Sequence, residues 1–251
     1  MKKWFCYLSL LFFALFTSCS KKEERAAYTI GIDPTFFPLE MLEGRGDLLG
    51  FVSELFQEIG KKQNVRFLRV MMSWDNLLEG LQLERYDAVL SVARPNVINK
   101  TKYEFSNPLF YTGPILITPV EKGKITLNDL AGKVVMIEKT SSNLELLSAY
   151  PNIIPEFYDS IPEALENTVQ GRCAACLVPV LEGALYVRDL YSNRLATQTP
   201  VLTNDALRVL TLAHKNSSLV TTFNDGLSEI KTSGTFKELL SKWSLPQEAL
   251  K

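Results

Sequence analysis

The chain has one histidine in 251 residues. A lone imidazole, His214, excludes a His-rich metal cluster and argues against a Ser-His-Asp triad; it reads as a structural or surface residue. Phosphate-binding signatures are also missing. There is no Gly-x-x-x-x-Gly-Lys-Ser/Thr loop and no Gly-x-Gly-x-x-Gly fingerprint, and Gly44-Arg45-Gly46 is a loop turn. Basic charge is not in excess. With 27 Lys+Arg against 28 Asp+Glu, the chain lacks the footprint of a nucleic-acid binder. No catalytic residue, metal or cofactor is assigned. What remains is 46% hydrophobic and 22% charged, a composition that excludes disorder and a multi-span membrane protein. The length allows one large domain or two smaller ones.

The N-terminus predicts export. Lys2 and Lys3 precede an uncharged run from Trp4 to Phe16. That run is shorter than the roughly 20 apolar residues of a membrane span, so it reads as a secretory signal. Phe16-Thr17-Ser18-Cys19 resembles the lipobox of bacterial lipoproteins, with Phe16 where Leu is usual; the alternative is ordinary signal cleavage nearby. The resemblance implies a lipidated (palmitate-bearing) Cys19 as the mature N-terminus, with Ser20 to Arg25 as tether. Only Cys173 and Cys176 then stay in the body of the protein. They lie in a segment that reads as a buried strand, where positions i and i+3 face opposite sides, so core packing is expected rather than a redox pair.

The body alternates strand and helix. Tyr28 to Asp33 reads as a strand, and Phe51, Leu55 and Ile59 mark a helix face running to Gln63. A strand at 65–70, a helix from Ser73 to Leu83 and a strand at 88–91 complete a β-α-β-α-β run, which predicts a parallel sheet covered by helices. The grammar then repeats: strand 134–137, helix 143–149, strand 153–158, a helix opened by the capping box Ser160-x-x-Glu163, and strand 174–178. Setting Ser73 on Ser160 places Leu78 on Leu165, Arg85 on Arg172 and Ala88 on Ala175 without a gap. Two similarly built lobes follow. Asn107 to Thr118 reads as a crossing segment and Ala206 to Ala213 as a second crossing strand. Helices at 219–233 and 236–243 close the chain, separated by Gly234 as a C-cap. Two α/β lobes joined by crossing segments make a cleft at strand C-termini, where open sheets bind small ligands.

A family resemblance then becomes visible. Gly31-Ile-Asp33-Pro-Thr-Phe36-Phe-Pro38 resembles the opening strand and loop of amino-acid-type extracellular solute-binding proteins of ABC importers. Gly50-Phe51 with Glu54-Leu55, Tyr86-Asp87-Ala88-Val89, Phe105-Ser106-Asn107-Pro108, Leu130-Ala-Gly-Lys133, Tyr158 to Leu165 and Ser233-Gly-Thr235 follow in the family's order. The resemblance implies a two-lobed α/β fold of type II, each lobe a mixed sheet flanked by helices, with two crossing hinge segments. The expected division is 1–18 signal peptide, 19–27 lipidated Cys and tether, 28–111 plus 205–251 first lobe, and 112–204 second lobe. It also implies a monomer in the periplasm or on the cell surface, anchored to the membrane through its N-terminal lipid. Such a protein closes on a small amino-acid-like solute and delivers it to a permease in the inner membrane. The alternatives are a cyclohexadienyl-dehydratase-like enzyme on this scaffold, with Glu138 or Glu182 as general acid, and a sensor or adaptor without amino-acid binding.

The resemblance also suggests the site, with two departures. The family's carboxylate-binding Arg falls on Asn99 and its ammonium-binding Asp on Pro179. Arg94 is a candidate replacement for the first if it enters the cleft rather than solvent. Glu138 is one for the second if it is more than a solvated strand-end Glu. Phe36 and Trp74 match aromatic walls around the ligand, or else pack in the core. Asp33 sets side-chain selectivity or makes a turn before Pro34. Ser91 matches a hydrogen-bonding position. Ser141 and Ser142 offer hydroxyls and helix N–H groups to a carboxylate, or cap the helix from Asn143.

Overall fold

The computed structural model describes residues 26–33, 48–198 and 200–250. Cys19 and Phe36 lie outside the described residues, as do the signal and tether.

The central strands of each sheet are apolar on both faces, as a sheet covered on both sides requires. Strand β1 (Ala27–Ile32) pairs in parallel with β2 (Arg66–Met71) and β3 (Ala88–Ser91). Helix α1 (Leu48–Gln63) crosses between β1 and β2. It starts three residues before Phe51 because Leu48 lies one turn earlier on the same buried face as Phe51, Leu55 and Ile59. Helix α2 (Trp74–Gln82) links β2 to β3. Helix α3 (Val97–Lys102), β4 (Tyr103–Phe105) and β5 (Phe110–Tyr111) follow.

The chain then passes to a second sheet with β6 (Pro114–Pro119), which is buried along its whole length. Strands β7 (Val134–Ile137), β8 (Ile154–Phe157) and β9 (Ala175–Pro179) alternate with α4 (Ser141–Ser148) and α5 (Ile161–Val169). Helix α6 (Val180–Tyr186) leads to β10 (Leu195–Gln198). Strand β11 (Ala206–Leu212) returns to the first sheet, and α7 (Ser217–Thr232) and α8 (Thr235–Lys242) pack on it.

The sheet orders are β2-β1-β3-β11-β4 and β8-β7-β9-β6-β10, so the two lobes share one topology and exchange their crossing strands. The ungapped offset between Ser73 and Ser160 holds through the structure. Helices α2 and α5 each have nine residues, and β3 and β9 start at the matched alanines Ala88 and Ala175. The fold is the two-lobed, type II arrangement of mixed sheets.

Two local expectations change. The box at Ser160 is half formed: its hydroxyl accepts from Glu163 N–H at 3.3 Å, but the Glu163 carboxylate accepts from Asp159 N–H at 2.9 Å. The helix expected at Asn143 starts at Ser141, because Thr140 is the N-cap and accepts from Asn143 N–H at 3.3 Å. His214 lies just beyond β11, in a turn with φ of 67°, and is exposed. Gly234 also has a left-handed φ, 86°, which a side chain would strain, and it separates α7 from α8. Cys173 and Cys176 are both buried free thiols, and burial pushes the Cys176 thiol up to about 12, so neither is a thiolate at neutral pH.

Candidate functional site

The cleft opens where the parallel strands end. Past β3 the chain runs through Val92 and Ala93 to Arg94; past β7 it reaches Glu138; past β9 it turns at Pro179 into α6. Residues from both lobes and both crossing segments line one cavity of about 550 Å³, a volume suited to a small solute.

Local hydrogen bonds position Arg94. Ser91 is buried and its hydroxyl accepts from Ala93 N–H at 3.1 Å, turning the chain at the strand end. Asn96 caps α3 by accepting from Asn99 N–H at 2.8 Å. The Asn99 amide donates to the Arg94 carbonyl at 2.7 Å, so Asn99 holds the loop that carries Arg94.

The Arg94 guanidinium enters the cleft and reaches across it. Its Nε and Nη2 donate to the two carboxylate oxygens of Asp205, which immediately precedes β11, with Nη2 to Oδ2 at 3.0 Å. Nη2 also donates to the Ser142 hydroxyl on α4, and Nη1 to Glu145 at 2.9 Å. Thr203 donates to Asp205 at 2.8 Å. The Asp205 bonds raise the Arg94 pKa further and keep it charged. Burial alone would raise the Asp205 carboxyl, but bonds from Arg94, Thr203 and Ser142 outweigh it and hold it below the usual range.

The other wall is acidic. Glu138 and Glu182 both line the cleft, and among the described residues neither has an ion-pair partner. Burial pushes the Glu182 carboxyl up, and the Glu138 charge adds to this against a backbone hydrogen bond. Tyr158, buried below and donating to the Leu177 carbonyl at 3.3 Å, is raised by burial and by the same carboxylates. Glu182 is thus a half-buried cleft residue, not the exposed helix residue that its position suggested. Asn143 is 3% exposed; its Nδ2 donates to the Glu138 carbonyl at 2.9 Å, and its Oδ1 has no partner.

Arg94, Glu138 and Ser142 therefore meet in one cleft. Ser141 begins α4, and Asp33 is buried just past β1. Trp74 starts α2 with 45% of its surface exposed and does not line the cavity. Sequence reading missed Asp205, Thr140, Asn143 and Glu145. Asp205 had one signal, its place at the start of a crossing strand. Among the described residues, no group of three or more His, Cys, Asp or Glu side chains is placed to hold a metal ion. No described helix is long and apolar enough to cross a membrane.

Two mixed sheets of one topology, two crossing segments and a charged cleft at the strand ends define a two-lobed binding protein. Comparison with known proteins agrees. The family model for bacterial extracellular solute-binding proteins, family 3, matches residues 28–246, and the chain belongs to that family. It is 28% identical to the L-cystine-binding protein TcyJ of Escherichia coli (strain K12) over 227 residues, 89% of this chain and 85% of the relative. It is 25% identical to the arginine-binding periplasmic protein of Mannheimia haemolytica, covering 94% and 96%. Among solved structures, the unliganded open L-cystine solute receptor of Neisseria gonorrhoeae superposes with a TM-score of 0.72 at 17% identity, over 91% of this chain and 97% of the receptor. That likeness shows the shared fold.

Proposed function

We propose that this chain is the receptor of an ABC importer, that it closes its lobes on an amino-acid-like solute, and that it has no catalytic role. The observation that carries the reading is the Arg94 constellation, which joins the first lobe, the second lobe and a crossing segment at the mouth of the cleft. Its partners are unequal. Asp205 is 16% exposed and doubly bonded; Glu145 is 74% exposed, and a pair so open to water contributes about 0–1 kcal/mol. A solute carboxylate replaces Glu145 beside Ser142, while Asp205 stays and orients the guanidinium. Arg94, Ser142 and Glu138 are the proposed contacts, and Ser91 and Asn99 position the loop.

The lobes divide at 111/112 and 204/205, where the chain leaves and rejoins the first sheet. The lipobox-like Cys19 anchors a monomer at the membrane, in the periplasm or at the cell surface. Relatives named as amino-acid, arginine and cystine-binding proteins support the solute class. The test is a thermal-shift screen of the purified chain against the twenty amino acids, cystine and ornithine, with calorimetry on each hit. One solute raising Tm by several degrees with micromolar affinity is expected. A well-folded protein unmoved by every solute contradicts the reading.

A further inference from the structure

A second cavity, of about 410 Å³, lies in the first lobe and shares no lining residue with the cleft. It sits where the segment that holds β5 meets α7, α8 and residues 249–250. Its floor is apolar: Leu109, Phe110 and Phe236 line it, and each is no more than 2% exposed. The half-buried Leu250 continues this surface. Its rim is basic. Lys231, in the last turn of α7, and Lys237, in the first turn of α8, are exposed and line it, and among the described residues no acid does.

This charge is held in place but not neutralised. The Lys231 ammonium donates to the Pro108 carbonyl at 2.9 Å and lies 5.1 Å from the centre of the Phe236 ring. An ammonium has three N–H donors, so the Pro108 bond leaves two to spare. Two residues earlier, the Ser106 carbonyl accepts from the Arg208 guanidinium at 3.2 Å. Two cations thus lean on carbonyls of one short segment, and a carbonyl dipole does not cancel a full charge. Among the described residues neither of them, nor Lys237, is in a salt bridge. Partial burial, with the Arg208 charge added, holds the Lys231 ammonium below its usual range. Like charges in a partly dry site repel each other, and an anion beside them removes the repulsion.

An apolar floor under a cationic rim is complementary to an apolar body that ends in an anion. We propose that this cavity binds a free aliphatic or aryl carboxylate, with its body against Phe110, Phe236 and Leu250 and its carboxylate between Lys231 and Lys237. The volume is that of a small-molecule pocket, and ammonium-to-carboxylate bonds are among the strong hydrogen bonds. The site is separate from the cleft, so its failure leaves the receptor reading as it stands.

The test is calorimetry of the purified chain with three probes of one chain length: octanoate, octanamide and octylammonium. Octanoate is expected to bind with a Kd below about 1 mM. It is expected to bind at least about tenfold tighter than octanamide, and octylammonium not at all, because only the carboxylate gains charge-assisted bonds. Lys231→Met and Lys237→Met keep the apolar stem and remove the charge, and each is expected to weaken octanoate by about fivefold or more. If Lys231→Met lowers Tm through its lost carbonyl bond, Lys237→Met and the probe comparison remain decisive. Arg94→Ala locates the probe. Octanoate affinity unchanged in that variant supports this cavity; affinity lost there places octanoate in the cleft and overturns the proposal. No octanoate binding, equal affinity for octanamide, or octanoate affinity unchanged in both lysine variants also overturns it.

Discussion

Arg94 touches groups whose burial differs widely, and that difference sets what each does. Asp205 holds the guanidinium from a partly buried position; Glu145 sits in water. Arg94→Ala is therefore expected to weaken solute affinity more than tenfold, because it removes a contact made only when the lobes meet. Glu145→Ala is expected to leave affinity within about threefold, as exposed pairs contribute little. Equal losses in the two variants, measured by calorimetry, would show that the exposed pair matters as much as Asp205. Glu182 gives a pH prediction. Its carboxyl is raised in the folded protein, so the favourable state is the neutral one. That stability is fully present below the ordinary Glu value and is lost as pH rises through the raised one. Glu182→Gln should therefore match the parent Tm near pH 4 and exceed it near pH 8. A variant less stable at both pH values would contradict an unpaired buried acid. At this scale sequence was a partial guide. Arg94 and Glu138 stood out through the family resemblance, as charges at positions that it places beside the ligand. Asp205 did not, because it is 111 residues from Arg94 and only the fold brings them together.

Elements were more legible than residues. Strands β3, β7 and β9 are short apolar runs, and each lies within one residue of where the pattern put it, whereas the crossing segment read as continuous from Asn107 to Thr118 divides into β5 and β6. The edge strands β2 and β8 are mostly exposed, which is why their boundaries were less distinct. Element starts depend on caps, and a Thr-Ser-Ser run offers three. The structure uses Thr140, which frees the Ser142 hydroxyl for Arg94. Thr140→Ala is expected to cost about 1 kcal/mol and Thr140→Ser much less, read from denaturant melts. No difference between the two would mean that the cap is not holding α4. Gly113 is the other element-scale control. It sits between β5 and β6 in the first crossing segment, and a Cβ there would collide with the Thr203 hydroxyl that donates to Asp205. Gly113→Ala is expected to cost about 1–3 kcal/mol by overpacking and to weaken solute binding, by displacing the partner of Arg94.

At the scale of the whole molecule, the repeated grammar of the two halves carried the architecture. Matching Ser73 to Ser160 gave the lobe symmetry, and the sheets show why it works: each lobe uses the same strand order and borrows its antiparallel strand across the hinge. The substitutions at Asn99 and Pro179 were also visible in sequence, and Arg94 and Glu138 were named as candidate replacements, but the grouping of Arg94 with Ser142 and Asp205 was not. It depends on α4, α6 and β11 converging on one cleft, a property of topology rather than of spacing. The two lobes meet through Arg94 and its partners on α4 and before β11, so binding and closure are one equilibrium. The most direct measurement is small-angle scattering of the purified chain, with and without a saturating concentration of the tightest solute from the screen. A hinged receptor predicts a smaller radius of gyration with solute, and a larger one in Arg94→Ala without it. A radius unchanged by a bound solute would contradict the account.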